Sequence, residues 1–373
     1  MEISQLTPSL SKMVSISNYI FEIRRLLIKN GFISNIYIEN KEFLFLNFVK
    51  YYWNYKPNKE DIIILHASIG SKLTNFFKNL KCKKILIYHS HTPASFFEDI
   101  DEEKFMLLKN YDDDLRSLSK SADYVLADSD FNKQYIEKLG FINIHTSPIF
   151  LNFKDRFKND DSKILEKFDD DYINIICVGR IVPNKKIEDV IKVFYYYKKF
   201  INQKSRLFLI GSTSNVKIYH KNLLGYIKRL DLNDIYFTNK IRDSDLTSYY
   251  KFADLFVYMS EHEGIGLPLI EAMYFKIPII AFNATAVPYT LGNSGVLVNE
   301  KDHKRIAELI NLVLNDSNLK KKILDGQEER LKYFDSERLQ ERFMQHILEL
   351  KKSDNRLIHL QNRTEKLIDE AEN

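Results

Sequence analysis

The chain has 373 residues, 45% of them hydrophobic and 28% charged, with a formal net charge of only +4. That balance excludes a disordered chain, and the length suffices for two ordinary domains with separate cores. Charges of both signs are interspersed, so the basic patch of a nucleic-acid binder is absent; the one cluster, Lys81, Lys83 and Lys84, reads as a solvated strand entrance. Cys82 and Cys177 stand far apart without metal-ligand spacing, which fits a reducing, cytoplasmic setting better than a disulfide framework. The start, MEISQLTPSL, lacks the basic and apolar regions of a signal peptide. No run approaches the roughly 20 apolar residues that span a bilayer, so membrane contact is expected to be peripheral at most, at the inner face of the cytoplasmic membrane.

In chain order, helical periodicity appears over 16–30, and short apolar runs predict strands at 61–65, 84–88, 124–127 and 142–146, with a helix over 131–139. The alternation lapses in the charged stretch from 148 to 172, PIFLNFKDRFKNDDSKILEKFDDDY, where a linker is expected over 156–172. Strands resume at 173–178, 206–210, 234–237, 255–258, 278–281 and 295–298, with helices over 187–200 and 246–252. After 301 no strand is evident: two short helices fill 302–333, and 336–371 reads as one or two long charged helices, packed across the domains or self-associating, with 353–355 a potential break. Alternation of this kind predicts parallel sheets covered on both faces. The expected architecture is α/β, with two doubly wound Rossmann-like domains (1–155 and 173–334) facing a central cleft, and a helical extension over 335–373. In such sheets ligands sit beyond the carboxyl ends of the strands.

Two segments carry the chemistry. SEHEGIGLPLIEAM, 260–273, follows an apolar strand and reads as strand, glycine turn, helix, with Pro268 suited to the first helical turn. Gly264 and Gly266 allow a ligand close to the backbone, the helix N-terminus offers unsatisfied N–H groups suited to a diphosphate, and Glu263 and Glu271 can reach different parts of one ligand. CVGRIVPNKKIEDVI, 177–191, places Arg180 at a strand's carboxyl end and Lys185 and Lys186 at the start of the next helix. Cations there oppose the helix dipole unless an anion is shared, which a phosphate site would explain. In the first half, His89 and His91 stand just past a predicted strand, and His66 and Ser68 end another. Asp112–Asp114 reads as a solvated face.

GRIVPNKK followed by SEHEGIGLPLIEAM, with its Glu-x7-Glu spacing, resembles the retaining glycosyltransferases of family 4, which have the GT-B fold. HASIGS, YHSHTPASFF and ADSDFNKQYIEKLGF look like bacterial members that build surface polysaccharides, so the resemblance covers most of 16–334. It implies that Arg180 and Lys185, with Lys186 as the alternative lysine, hold a donor diphosphate. Glu263 would contact the donor sugar's hydroxyls beside the backbone of Gly264, Ile265 and Gly266. Glu271 would bind the ribose, and the backbone around Lys240 and Ile241 the nucleobase. One of the two histidines, His89 by the Tyr-His start of its motif, would lie near the reacting sugar, with His66, Ser68 and His91 further acceptor-side candidates. Such enzymes need no metal and no permanently bound cofactor. The partners implied are a nucleoside-diphosphate sugar, a glycan or glycosylated acceptor, and a second copy of the chain through the C-terminal helices.

Two positions depart from the family pattern: Ser15 and Ser17 stand where a glycine-rich loop is usual, and Tyr289 stands where glutamate usually follows proline. Neither touches the charged donor residues, so an active, retaining hexosyltransferase is expected. A nucleotide-sugar epimerase of the same fold would share the donor cleft without an acceptor, and a non-catalytic partner subunit would bind donor without turnover.

Overall fold

The computed structural model describes residues 1–11, 15–40 and 46–352. Two all-parallel sheets organise them. The first contains β1 (Ile3–Thr7), β2 (Ile36–Ile38), β3 (Val49–Tyr51), β4 (Ile62–Ala67), β5 (Lys83–Tyr88), β6 (Tyr124–Ala127) and β7 (Ile144–Thr146), in the order β3-β2-β1-β4-β5-β6-β7. The second contains β8 (Ile173–Val178), β9 (Ser205–Ile210), β10 (Ile235–Asn239), β11 (Leu255–Tyr258), β12 (Ile279–Phe282) and β13 (Val296–Val298), in the order β10-β9-β8-β11-β12-β13. Both orders reverse beside the first strand of the sheet, and a doubly wound sheet opens its ligand crevice at that point. The crevices therefore lie beyond the carboxyl ends of β1 and β4, and of β8 and β11.

Strands covered on both faces read as near-continuous apolar runs, and every residue of β4, His66 included, is buried. Ile62, Ile64, Ile85 and Ile87 face one layer, while Ile63, Leu65, Leu86 and Tyr88 face the other, as the two-residue strand period dictates. The first layer is built by helix Ser15–Lys29, through Tyr19, Ile23 and Leu27, and by a helix through 336–352 that returns from the far end of the chain. Leu339, Phe343, Ile347 and Leu350 form its apolar stripe at helical spacing. Tyr124 Oη lies 2.8 Å from His346 Nδ1, and Lys83 Nζ donates to Leu350 O at 3.1 Å, tethering the same helix. The C-terminal helix thus packs across the molecule onto the first sheet. Residues 353–373, including the break expected at 353–355, lie outside the described residues.

The inner strands fall within two residues of their expected ends, and β6, β8 and β11 coincide with them. β1, β2 and β3 were not evident in the apolar pattern. The charged stretch between the sheets holds the short helices Phe153–Arg156 and Ser162–Lys167, and Phe157 and Phe168 insert into the core of the second sheet. No described helix is long and apolar enough to cross a membrane.

Phe343 is fully buried in the returning stripe. Phe343→Ala should cost about 3–5 kcal/mol in urea unfolding. Leu348→Ala on the exposed side of the same helix, where 43% of the residue is accessible, should cost no more than about 0.5 kcal/mol.

Candidate active site

The segment after β11 is where the two halves meet. Gly266 adopts φ +72°, a left-handed conformation that glycine reaches without strain, and caps helix Leu267–Tyr274, with Pro268 in the first turn. Gly264 has a packing role. A Cβ there would lie 2.6 Å from Ser90 Cβ and 2.8 Å from His89 O, so its missing side chain lets the loop after β5 close on the turn. Ser129 Oγ donates to Gly264 O at 2.6 Å, and Tyr289 Oη to Gln134 Oε1 at 3.3 Å, across the same junction.

Behind this junction the residues expected on the donor side assemble at the crevice of the second sheet. Lys185 Nζ pairs with Glu263 Oε1 and donates to Tyr258 Oη at 3.0 Å, and Tyr258 Oη donates to Glu263 Oε1 at 2.5 Å. Thr285 Oγ1 accepts from the Glu263 amide at 2.9 Å. Burial pushes the Glu263 carboxyl up, but Lys185 outweighs it and holds the group below its ordinary range, so Glu263 is a carboxylate at neutral pH. Lys185 has three donors and spends two here, leaving one for an anion.

Arg180 is exposed at the carboxyl end of β8 and has no hydrogen-bond or ion-pair partner among the described residues. Protein crowds the guanidinium even though solvent reaches it. That crowding lowers its pKa, while Glu263 and Tyr258 oppose the shift. Lys186 diverges from Lys185: it takes a left-handed φ of 50°, reaches Glu261 at 3.3 Å and lies 5.7 Å from the Phe96 ring centre. The lysine that meets Glu263 is therefore Lys185. Glu271, 3% exposed, accepts from Arg156 and, at 2.7 Å, from Tyr250 Oη. Ile265 is buried in the core of the first half, and Ile241 packs half-buried on the second core just after β10.

The histidines expected on the acceptor side fall into two groups. His66 Nδ1 lies 2.8 Å from His89 Nε2, with the rings stacked 3° from parallel; His89 Nδ1 lies 2.8 Å from Asp128 Oδ2, and His66 Nε2 2.9 Å from Gln5 Oε1. Gln5 Nε2 donates to Ile20 O at 3.1 Å, which fixes its oxygen toward His66. The direction of the whole chain follows. Gln5 Oε1 can only accept, so His66 carries its proton on Nε2; burial, with His89 adding to it, lowers the His66 pKa and keeps that ring neutral. Its Nδ1 must then accept from His89 Nε2–H. The Asp128–His89 contact is satisfied only if that pair holds one further proton, as imidazolium and carboxylate or as neutral ring and acid. Both His89 nitrogens are thus spent inside the fold, and what this residue turns toward the glycine turn is its backbone carbonyl.

His91 belongs to the second group. Its Nδ1 lies 3.0 Å from Tyr88 Oη and its Nε2 3.1 Å from Asp112 Oδ1, and Tyr135 Oη donates to Asp112 at 2.6 Å. Asp112 is therefore not the purely solvated residue expected of its acidic run. Ser68 is half-buried and takes part in neither group. His262, whose pKa burial lowers to about 4, approaches Ser90 Oγ at 3.2 Å and joins the halves as a neutral ring. Of the two serines replacing the usual glycines, Ser17 Oγ accepts from Ser11 N at 3.0 Å, while 12–14 and the Ser15 side chain lie outside the described residues. Among the described residues no group of three or more His, Cys, Asp and Glu is placed to hold a metal ion.

Sequence reasoning missed Gln5, Asp128, Arg156, Tyr250 and Tyr258. A signal existed for Asp128, whose ADSD segment ends a predicted strand as YHSH does. Arg156 and Tyr250 carried none, because only folding brings them to Glu271.

Two facing Rossmann-like domains with the last described helix folded back onto the first define the GT-B architecture, and the solved structures agree. HepE from Anabaena, solved in complex with UDP-glucose, superposes with a TM-score of 0.72 at 14% identity, covering 94% of this chain and 100% of that one. Residues 158–330 match the family model described as Glycosyl transferases group 1. An uncharacterized glycosyltransferase of Methanocaldococcus jannaschii is 27% identical over 287 residues, 74% of this chain and 71% of that protein. The capsular polysaccharide biosynthesis glycosyltransferase CapM of Staphylococcus aureus is 29% identical over 224 residues, 56% of this chain and 54% of that protein. These matches support the glycosyltransferase class for this chain.

Two outcomes follow from the buried charges. Asp128→Ala strips a 1%-exposed partner from His89 and should lower stability by about 3–5 kcal/mol in urea unfolding. Because the Glu263 pKa is lowered by folding, its contribution is fully present above its ordinary value of 4.5 and is lost as pH falls through the lower, folded value. The stability gap between wild type and Glu263→Gln should therefore be widest at pH 7 and shrink below about pH 4.5.

Proposed function

We propose that this chain transfers a hexose-type sugar from a nucleoside-diphosphate sugar to a hydroxyl of a glycan, a lipid-linked glycan or a protein-linked acceptor, with retention at the anomeric carbon, in the synthesis of bacterial surface glycans. The observation that carries the reading is the Lys185–Glu263 pair beyond the carboxyl ends of β8 and β11, with Arg180 at the end of β8 close enough to feel the Glu263 charge. An Arg with no protein partner beside a Lys with one unspent donor is a site for an anion of more than one charge. A diphosphate leaving group meets that description. HepE, solved with UDP-glucose, shares the fold.

In this reading Arg180 and Lys185 stabilise the charge that develops on the diphosphate as the glycosidic bond breaks. Preorganised donors of this kind contribute roughly 3–4 kcal/mol each. Positive charge supplied by side chains is why we read the reaction as independent of metal. Glu263, held as a carboxylate, accepts from hydroxyls of the donor sugar and orients it; its oxygen is already committed to Lys185 and Tyr258, which suits positioning better than nucleophilic attack. The retaining outcome then comes from attack on the same face as the departing phosphate, which takes the acceptor's proton. Glu271 receives the ribose, and the backbone near Ile241 the base. The His89 pair contributes a fixed wall behind the reacting sugar rather than a ring nitrogen. The expected setting is cytoplasmic, with any contact at the membrane face peripheral.

Glu263→Gln and Arg180→Ala should each reduce transfer by about 100-fold or more while the circular dichroism spectrum stays unchanged. The assay follows the glycosylated product by mass spectrometry across a panel of nucleotide sugars and acceptors. Near-wild-type rates in both variants would overturn the assignment, and sugar epimerisation without a new glycosidic bond would replace it with the epimerase reading.

A further inference from the structure

We propose that Arg156 is a positioning residue for the donor: it holds Glu271 so that one unspent lone pair on each carboxylate oxygen receives the vicinal hydroxyls of the donor's ribose. The proposal deepens the reading of Glu271 as the ribose-binding carboxylate and rests on it.

The geometry is specific. Arg156 Nη1 donates to Glu271 Oε1, and Tyr250 Oη donates to Glu271 Oε2 at 2.7 Å, so each oxygen has one protein partner. A carboxylate offers about four acceptor positions, two on each oxygen. Two remain here, one per oxygen, on adjacent atoms of a rigid plane, and a vicinal diol presents two donors at the matching separation. Had Arg156 bound both oxygens in a fork beside Tyr250, a single acceptor position would have remained, too few for two hydroxyls. The second arm of the guanidinium goes elsewhere, with Nε donating to Asp243 Oδ1 at 3.1 Å.

Asp243 opens helix Asp243–Phe252, which carries Tyr250, so Arg156 fixes both sides of the Glu271 carboxylate at once. The guanidinium also lies 4.8 Å from the centre of the Phe157 ring. A lysine could neutralise charge at this place but could not reach two carboxylates along two fixed directions. Glu271 is 3% exposed and the Arg156 side chain 13%, so the pair is desolvated and its geometry is costly to change. Arg156 comes from the short helix between the two sheets, so a residue outside either sheet orders the donor subsite.

The test compares UDP or GDP, whichever binds the wild-type protein by calorimetry, with its 2′-deoxy counterpart. Wild type should prefer the ribonucleotide by about tenfold or more, the loss of one hydrogen bond to a charged acceptor. Glu271→Gln should reduce that preference to below about threefold, which checks the underlying reading on its own. Arg156→Ala should erase the preference while the deoxynucleotide's affinity changes by less than about threefold; Arg156→Lys, which keeps the cation and guards against misfolding, should do the same. If Glu271→Gln keeps the full preference, the ribose reading fails and the proposal with it. If Glu271→Gln loses the preference while both Arg156 variants keep it, the proposal alone is overturned. It is also overturned if the Arg156 variants weaken both nucleotides equally, since that is the mark of a merely structural role.

Discussion

Helix Leu267–Tyr274 and the turn before it are buried from two directions. Ile265, Leu267 and Ile270 enter the core of the first half, and Leu269, Ala272 and Met273 enter the core of the second. A helix that is apolar on nearly every side has no solvent face to offer and stays where both cores can cover it. Everything polar in the candidate site is placed relative to that element. Glu263 precedes it, Glu271 sits within it, and the Gly264 turn meets the loop after β5 at a spacing that a single added carbon would break. The hydrophobic burial of this segment is therefore also what sets the distance between the two halves.

The charges around that helix are arranged by the cost of burying them. Glu263 and Glu271 are nearly inaccessible, and each is matched by a cation and a tyrosine hydroxyl: Lys185 with Tyr258 in one case, Arg156 with Tyr250 in the other. Pairing of this kind is required when an ionised carboxylate leaves water. It also leaves a polarity, because Arg180 remains outside either pair and faces solvent in the cleft. On the opposite wall the Asp128, His89, His66 and Gln5 chain engages both nitrogens of each ring, while Asp128 Oδ1 is buried without a partner among the described residues. One wall of the cleft thus offers a strong unpaired cation, and the facing wall offers backbone and ring nitrogens already engaged with one another. This asymmetry makes the second half's side of the site more specific in its chemistry than the first half's.

Much of this was legible in the sequence because parallel strands buried on both faces are short uninterrupted apolar runs. β6 and β11 have that form, and β4, β5 and β8 carry apolar runs beside His66, Lys83–Lys84 and Asn174. β1 escaped notice because its central residues are Ser4 and Gln5, fully buried polar groups that only a folded environment can pair, Gln5 with Ile20 O and His66. β2 and β3 have three residues each, too few for a period to show. The glycine turn, Pro268 and the two glutamates were visible because turn chemistry and helix capping are local. Arg156 and Tyr250 were not, since their importance lies in a contact across 115 and 21 residues of chain.

By itself the sequence determined the local elements, the strand–turn–helix segments that end in charge, and the class of fold those segments compose. Backbone preference and hydrophobic period act over a few residues, so a linear reading reaches them. Only the tertiary structure decided which lysine meets Glu263, which way the His66–His89 chain donates, and that Gly264 makes room for the opposite domain. Each of these depends on the relative placement of groups held in a desolvated interior, where one hydrogen bond has one available partner. That placement is a property of packing, and neighbouring letters do not encode it.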